Sequence, residues 1–270
     1  MQRRHLIEIS DEAWCPRAIR HAVTDYCRFV TEASGVYNAV APMLVEALQR
    51  TGASRVLDLG SGAAGPWLRL QPLLSKMGLD ITVCLSDHNP DVEAFERSCR
   101  LAQQAITYYP KPVDATQVPS TLHGFRTLFS AFHHLRPAEA RAALANAVAK
   151  GEGLAVFECA ERSILALLLV LPTPLRVLLA TPCIRPFRWS RLFWTYQIPV
   201  VPLVALFDGL VSCLRTYGIQ EMRELTEALD AKDYPWEIGE LKSTVGPIPI
   251  TYLIGVPNED SAPPPGPASI

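Results

Sequence analysis

Apolar positions between residues 16 and 52 recur at helical spacing. The stretches PRAIRHAVTDYCRFV (16–30) and NAVAPMLVEALQRTG (38–52) each gather their apolar residues on one side, and the second ends at Gly52, so two helices are predicted within 11–52. After Gly52 the pattern changes. Short apolar runs, RVLDL (55–59), ITVCLSD (81–87), AITYYP (105–110), FRTLFSAF (125–132) and GLAVFE (153–158), alternate with the helical stretches PWLRLQPLLSKMG, NPDVEAFERSCRLAQQ and PAEARAALANAVAKGEG. Strands alternating with helices predict right-handed βαβ units and a mostly parallel sheet, an α/β fold. Further on, FDGLVSCLRTYGIQEMRELTEAL (207–229) is helical in pattern. WEIGELKST and PITYLIGV, joined through VGPI, are strand-like and close enough to be antiparallel neighbours.

One segment fits neither pattern. From Ser163 to Phe207 there is no Asp or Glu, yet there are four arginines (176, 185, 188, 191) and six prolines, with Phe187, Trp189, Phe193, Trp194 and Tyr196 interleaved among the last arginines. Its most apolar part, ILALLLVLPTPLRVLLAT (164–181), approaches membrane-spanning length, but Pro172, Pro174 and Arg176 at its middle argue against a simple span. Residues 161–207 therefore read as an apolar lid. It serves as extra core, as a wall for an apolar acceptor, or as a docking face for an anionic membrane, for which arginines and interfacial Trp are suited. The proline-rich end, 257–270, is expected to be disordered.

Lys+Arg 25 against Asp+Glu 27 gives a net charge of −2, so no basic field points to nucleic acid. Seven cysteines, scattered without a C-x-x-C pair, suit reduced thiols in a cytoplasm rather than disulfides or a zinc site. The opening MQRRHLIEISDEAW lacks an apolar run, and no secretory signal is expected.

The chemistry concentrates after the first strand. In VLDLGSGAAGPW (56–67), Gly60, Gly62 and Gly65 spell G-x-G-x-x-G between a strand and a helix, and Asp87 lies 22 residues beyond Gly65. Glycines there let a ligand approach the backbone, and the following helix turns its free N–H groups toward it. The stretch fits both a dinucleotide site and an adenosyl site.

Residues 53–256 resemble bacterial class I S-adenosylmethionine-dependent methyltransferases, through DLGSGAAGPW, FRTLFSAFHHLRPAEARA, IRPFRWSRLFWTYQIPVVPL and FDGLVSCLRTY. The resemblance implies a Rossmann-like, seven-stranded sheet in the order 3-2-1-4-5-7-6 with an antiparallel last strand. It implies one methyltransferase domain over 1–256: N-terminal helices at 11–52, a cofactor-binding core at 53–160, the lid at 161–207, and a helix with a strand pair at 208–256. It also implies S-adenosyl-L-methionine as cofactor. Asp58, Gly60, Ser61 and Gly62 match the acid and turn that wrap its amino acid portion, with Ala64 where the family has a third glycine. Asp87, followed by His88, matches the acid on the ribose hydroxyls, an acceptor-only group able to take two O–H donors. Asp114 and Ala115 match the adenine contacts, and Ser130 opens the SAFHHLRP stretch that faces cofactor and acceptor.

Candidate catalytic residues are His133 and His134. On an extended segment neighbours point to opposite sides, so one imidazole is expected to reach the acceptor and the other to pack. A neutral imidazole suits proton acceptance, although methyl transfer from a sulfonium often needs only alignment and desolvation. No third ligand lies at a recognisable spacing from this pair, so no metal is expected. For the acceptor, a small and lipophilic molecule, the candidates are Tyr37, Arg188, Trp189, Trp194 and Tyr196. The arginines at 185, 188 and 191 are expected to hold an anionic group on it or to rest on lipid head groups. Expected localisation is cytoplasmic, with peripheral membrane contact. A protein that keeps the pocket without catalysis is the competing reading.

Overall fold

In the computed structural model, which describes residues 1–102 and 104–258, seven strands form one sheet ordered β3-β2-β1-β4-β5-β7-β6. The strands are β1 Arg55–Leu59, β2 Thr82–Ser86, β3 Ile106–Tyr108, β4 Phe125–Phe129, β5 Leu154–Glu158, β6 Trp236–Leu241 and β7 Ile250–Gly255. The first five pair in parallel, and β7 runs antiparallel to both β5 and β6. Sheet order and closing pair agree with the sequence. β4 and β5 are buried along their whole length, as strands covered by helices on both faces must be.

The covering helices are α1 Arg17–Ser34, α2 Ala41–Thr51, α3 Trp67–Lys76, α4 Val92–Leu101 and α5 Pro137–Ala149. The lid holds α6 Ile164–Val170, α7 Thr173–Ala180 and α8 Trp189–Leu192, and α9 Val200–Arg215 and α10 Ile219–Glu227 follow. One apolar cluster packs α2 and α3 on one face of the sheet, and a second packs α5 on the other. A third, with Ile19, Val23, Tyr26, Val177, Val201 and Val204, joins α1, α7 and α9 away from the sheet.

Three boundaries differ from expectation. β4 stops at Phe129 because Ser130 takes φ +45°, and Phe132–His134 form a 3₁₀ turn rather than strand. α9 begins at Val200 instead of near Phe207: Pro202 falls in its first turn, where a missing N–H leaves no helical bond unmade. The helical run 207–229 is broken between Arg215 and Ile219. Residues 259–270 of the expected disordered tail lie outside the described residues.

Candidate functional site

The turn after β1 is left-handed at four positions: Gly60 (φ +70°), Gly62 (+54°), Ala64 (+90°) and Gly65 (+51°). Gly60 is held to glycine by more than its backbone, since a Cβ there would stand 2.8 Å from the Cβ of Ala131 at the exit of β4. Ala64, fully buried, adopts a left-handed backbone at a cost of about 1–2 kcal/mol. The turn keeps its shape with one strained residue.

Asp58 anchors this turn from inside. The parallel register sets it beside Thr127 of β4. Its carboxylate accepts from the Thr127 hydroxyl at 2.7 Å and the Ser61 hydroxyl at 2.6 Å. Burial, at 1% exposure, pushes its pKa from 3.8 up to about 6 against those hydrogen bonds. A carboxyl with a raised folded pKa favours the fold most below its unfolded pKa, and that advantage is lost as pH rises to the folded value. Between pH 4 and above 6 the stability of the protein relative to Asp58→Asn should therefore fall by about 3 kcal/mol. Denaturant titrations of both proteins across that window check it, and a flat difference would contradict it.

Asp87 sits just past β2. One oxygen accepts from the N–H of Gly62 and the other from that of Asn89, both at 2.8 Å, so each keeps a lone pair for a further donor. His88 is exposed. The carbonyl of Asp87 accepts from Val113 N–H at 2.9 Å, which ties the loop of Asp114 and Ala115 to the same edge. Asp114 is exposed, its carboxylate accepting from the backbone and hydroxyl of Thr116, and Ala115 is half-buried. Ser130 lies between Tyr37, whose hydroxyl is 2.6 Å away, and Cys159. The C-terminal ends of β1 to β4 thus converge on one rim, where open α/β sheets bind ligands.

No family model matches this chain, and no curated protein matches it. Among solved structures, the plantazolicin methyltransferase BpumL in complex with SAH aligns with 93% of this chain and 95% of its own, with a TM-score of 0.55 at 9% identity. The chain has the class I methyltransferase fold. Human N-acetylserotonin methyltransferase in complex with SAM (TM-score 0.47, 13% identity, 85% of this chain) and the mitomycin 7-O-methyltransferase MmcR (0.46, 15%, 83%) are also similar. The chain spans only 55% and 53% of those two.

Within this methyltransferase fold the two histidines do not point to opposite sides. In a 3₁₀ turn neighbours are about 120° apart rather than 180°, and the rings lie 4.3 Å apart, tilted by 34°. His133 is 2% exposed, its Nδ1 2.7 Å from Glu158 and its Nε2 3.6 Å from Glu8. His134 is half-buried, its Nδ1 2.7 Å from Asp11 and its Nε2 3.8 Å from Glu8. Burial opposes a charge on His133, but Glu158 and Glu8 outweigh it and hold its pKa up, to about 10. Glu8 is held down to about 2 against its burial by His134, His133 and Arg215. Only His134 of the pair has an edge at the surface.

The carboxylates Glu8 and Asp11 come from the N-terminal strap, which no local spacing could connect to the histidines. Arg215 at the end of α9 fastens the strap: its guanidinium is 3.3 Å from Glu8 and 3.4 Å from Asp11, and donates to the carbonyl of His134 at 2.8 Å. Asp208 accepts from the N–H groups of Ile9 and Ser10.

The lid corrects a second expectation. Arg191 cannot hold an acceptor or a head group, because it is 2% exposed and donates to Asp25 at 2.7 Å and to the carbonyls of Ile184 and Pro186. Arg188 is engaged by Glu93 at 3.0 Å and Asp25 at 3.7 Å. Only Arg185 of the three stands exposed. Tyr37 is buried against Phe129, Trp194 is half-buried, Trp189 is 78% exposed, and Tyr196 donates its hydroxyl to the carbonyl of Leu178. Tyr37 thus belongs to the sheet core and Trp194 to the cluster of α1, α7 and α9, whereas Trp189 and Tyr196 are exposed. A surface cleft lined by Arg223, Glu227, Asp230, Lys232 and Trp236 shares no residue with the glycine turn.

Proposed function

We propose that the protein is an S-adenosylmethionine-dependent methyltransferase that modifies a small lipophilic acceptor at the surface of an anionic membrane, on its cytoplasmic side. The rim at the ends of β1 to β4 supports the cofactor. Its turn is already left-handed at the glycines, the backbone shape that lets a ligand approach closely. Asp87 keeps one lone pair on each oxygen for vicinal hydroxyls. Asp58 is poised beside the same turn as a counter-charge for an ammonium. The cofactor, when bound, supplies a methyl group on a sulfonium, and this chain's residues orient it and exclude water.

The observation that carries the acceptor class is the outer face of the lid. Ile164, Leu168, Leu171, Leu175 and Leu179 are 71, 56, 52, 58 and 69% exposed, and Phe187, Trp189 and Phe193 in the same segment are exposed too, as are Arg176 and Arg185. The stretch Ile164–Cys183 is long and apolar enough to cross a membrane, yet only 22% of its most apolar window is buried. Such a surface is costly in water, and the absence of acid from this segment suits anionic lipid. A lipophilic acceptor would be delivered from that phase.

Titration calorimetry with S-adenosylmethionine, S-adenosylhomocysteine and NAD tests the cofactor. Both adenosyl ligands should bind, and tighter binding of NAD would overturn the assignment. Asp87→Ala should weaken binding by roughly 10- to 150-fold, the worth of one charge-assisted hydrogen bond. Asp87→Asn, which keeps one acceptor oxygen, should lose less, and equal affinity in all three proteins would remove Asp87 from the site. Cofactor binding without transfer to any lipophilic acceptor in vesicles would refute the enzymatic part.

A further inference from the structure

Glu8, His133 and His134 bring three metal-ligating atoms within 4.8 Å of one another. Each imidazole has its Nδ1 fixed by a different carboxylate, Glu158 for His133 and Asp11 for His134, both at 2.7 Å. That sets both rings and turns both Nε2 atoms toward the same third carboxylate. Metal-binding histidines are oriented in this way, the outer carboxylate setting the ring and raising its basicity. The inner atoms stand too far apart to bond one another: His133 Nε2 is 3.6 Å from Glu8 Oε1, which also accepts from Ser212, and His134 Nε2 is 3.8 Å from Glu8 Oε2. His133 Nε2 is fully buried and has no hydrogen-bond partner. A buried polar atom left this way calls for an unseen partner.

The donors identify the class of partner: two imidazoles and one carboxylate are a zinc-type set, unlike the all-oxygen shells of magnesium or calcium. Glu8 and Asp11 face Arg215, Glu158 faces His133, and Arg3 lies one layer out on the carbonyls of His133 and Leu135.

We propose that Glu8, His133 and His134 form a mononuclear site for a zinc-type divalent ion that clasps the N-terminal strap to the turn after β4. Entry runs past the half-exposed edge of His134. Glu158 and Asp11 are positioning residues. The site stands independently of the methyltransferase reading.

The test uses the full chain, stripped with chelator and titrated with Co²⁺ and then Zn²⁺. Expected is one bound Co²⁺ with the visible absorption of a four-coordinate ion, displaced by Zn²⁺. No thiolate charge-transfer band should accompany it, which sets this site apart from the seven cysteines. Glu8→Gln and His134→Asn should abolish the spectrum while far-ultraviolet circular dichroism is kept. Glu158→Gln should retain it with affinity lowered by about 10- to 100-fold. No Co²⁺ spectrum at micromolar free metal, or an unchanged spectrum in both Glu8→Gln and His134→Asn, would overturn the proposal.

Discussion

Replacing Leu168, Leu171, Leu175 and Leu179 together by serine should release the protein from anionic vesicles. Burying a leucine side chain fully is worth about 1.5–3 kcal/mol. These four are a little more than half exposed, so docking would gain about half of that from each, about 3–6 kcal/mol in all. The partition coefficient should fall by at least about a hundredfold in sedimentation. Because the four side chains already face outward, thermal stability should hardly change. Glutamine at Arg176 and Arg185 should remove mainly the salt-dependent part of the binding. If the unaltered protein fails to sediment with such vesicles, the membrane role is wrong.

Asp25→Ala should destabilise the protein by about 3–5 kcal/mol, since it strands a buried charge. Asp25 on α1 is 2% exposed, holds the Arg191 guanidinium at 2.7 Å, and has Arg188 and Arg97 at 3.7 and 3.9 Å. Burial raises the pKa of Asp25 despite these arginines, and it lowers that of Arg191 despite Asp25. The pair therefore gains little over an apolar pair of the same size, yet losing one partner is severe. Asp25→Leu combined with Arg191→Met should accordingly lose less than Asp25→Ala alone. Urea unfolding of the three proteins decides it, and a loss below about 1 kcal/mol for Asp25→Ala would place the anchor of the lid elsewhere.

Local patterns read well where local physics decides. The five parallel strands were legible because they are short apolar runs between amphipathic helices, and the glycine turn because only a few residues tolerate its backbone. Asp87 could be placed because it follows β2 directly. The histidine pair failed that test: nothing in SAFHHLRP announces that Ser130 turns left-handed and ends the strand, and the argument from alternate faces went with it. Glu8 and Asp25 were missed for a different reason. Their partners lie far along the chain, and a spacing rule or a count of acids within one segment cannot see a carboxylate delivered by another element. An acid-free stretch is not a stretch without acids around it.

The position of α9 gives these separate features a common mechanics. Its first turns pack Val201, Val204 and Ala205 against α1 and α7, under the outward-facing leucines, while Asp208, Ser212 and Arg215 at its other end grip the strap and the histidine turn. Sixteen residues make a rod of about 24 Å. A rigid rod works as a lever: a tilt imposed where the lid meets its surroundings arrives at Arg215 as a displacement, and hydrogen bonds of about 3 Å tolerate little of it. The lid contacts of Val201 and Val204 and the strap contacts of Asp208, Ser212 and Arg215 thus hang on one helix.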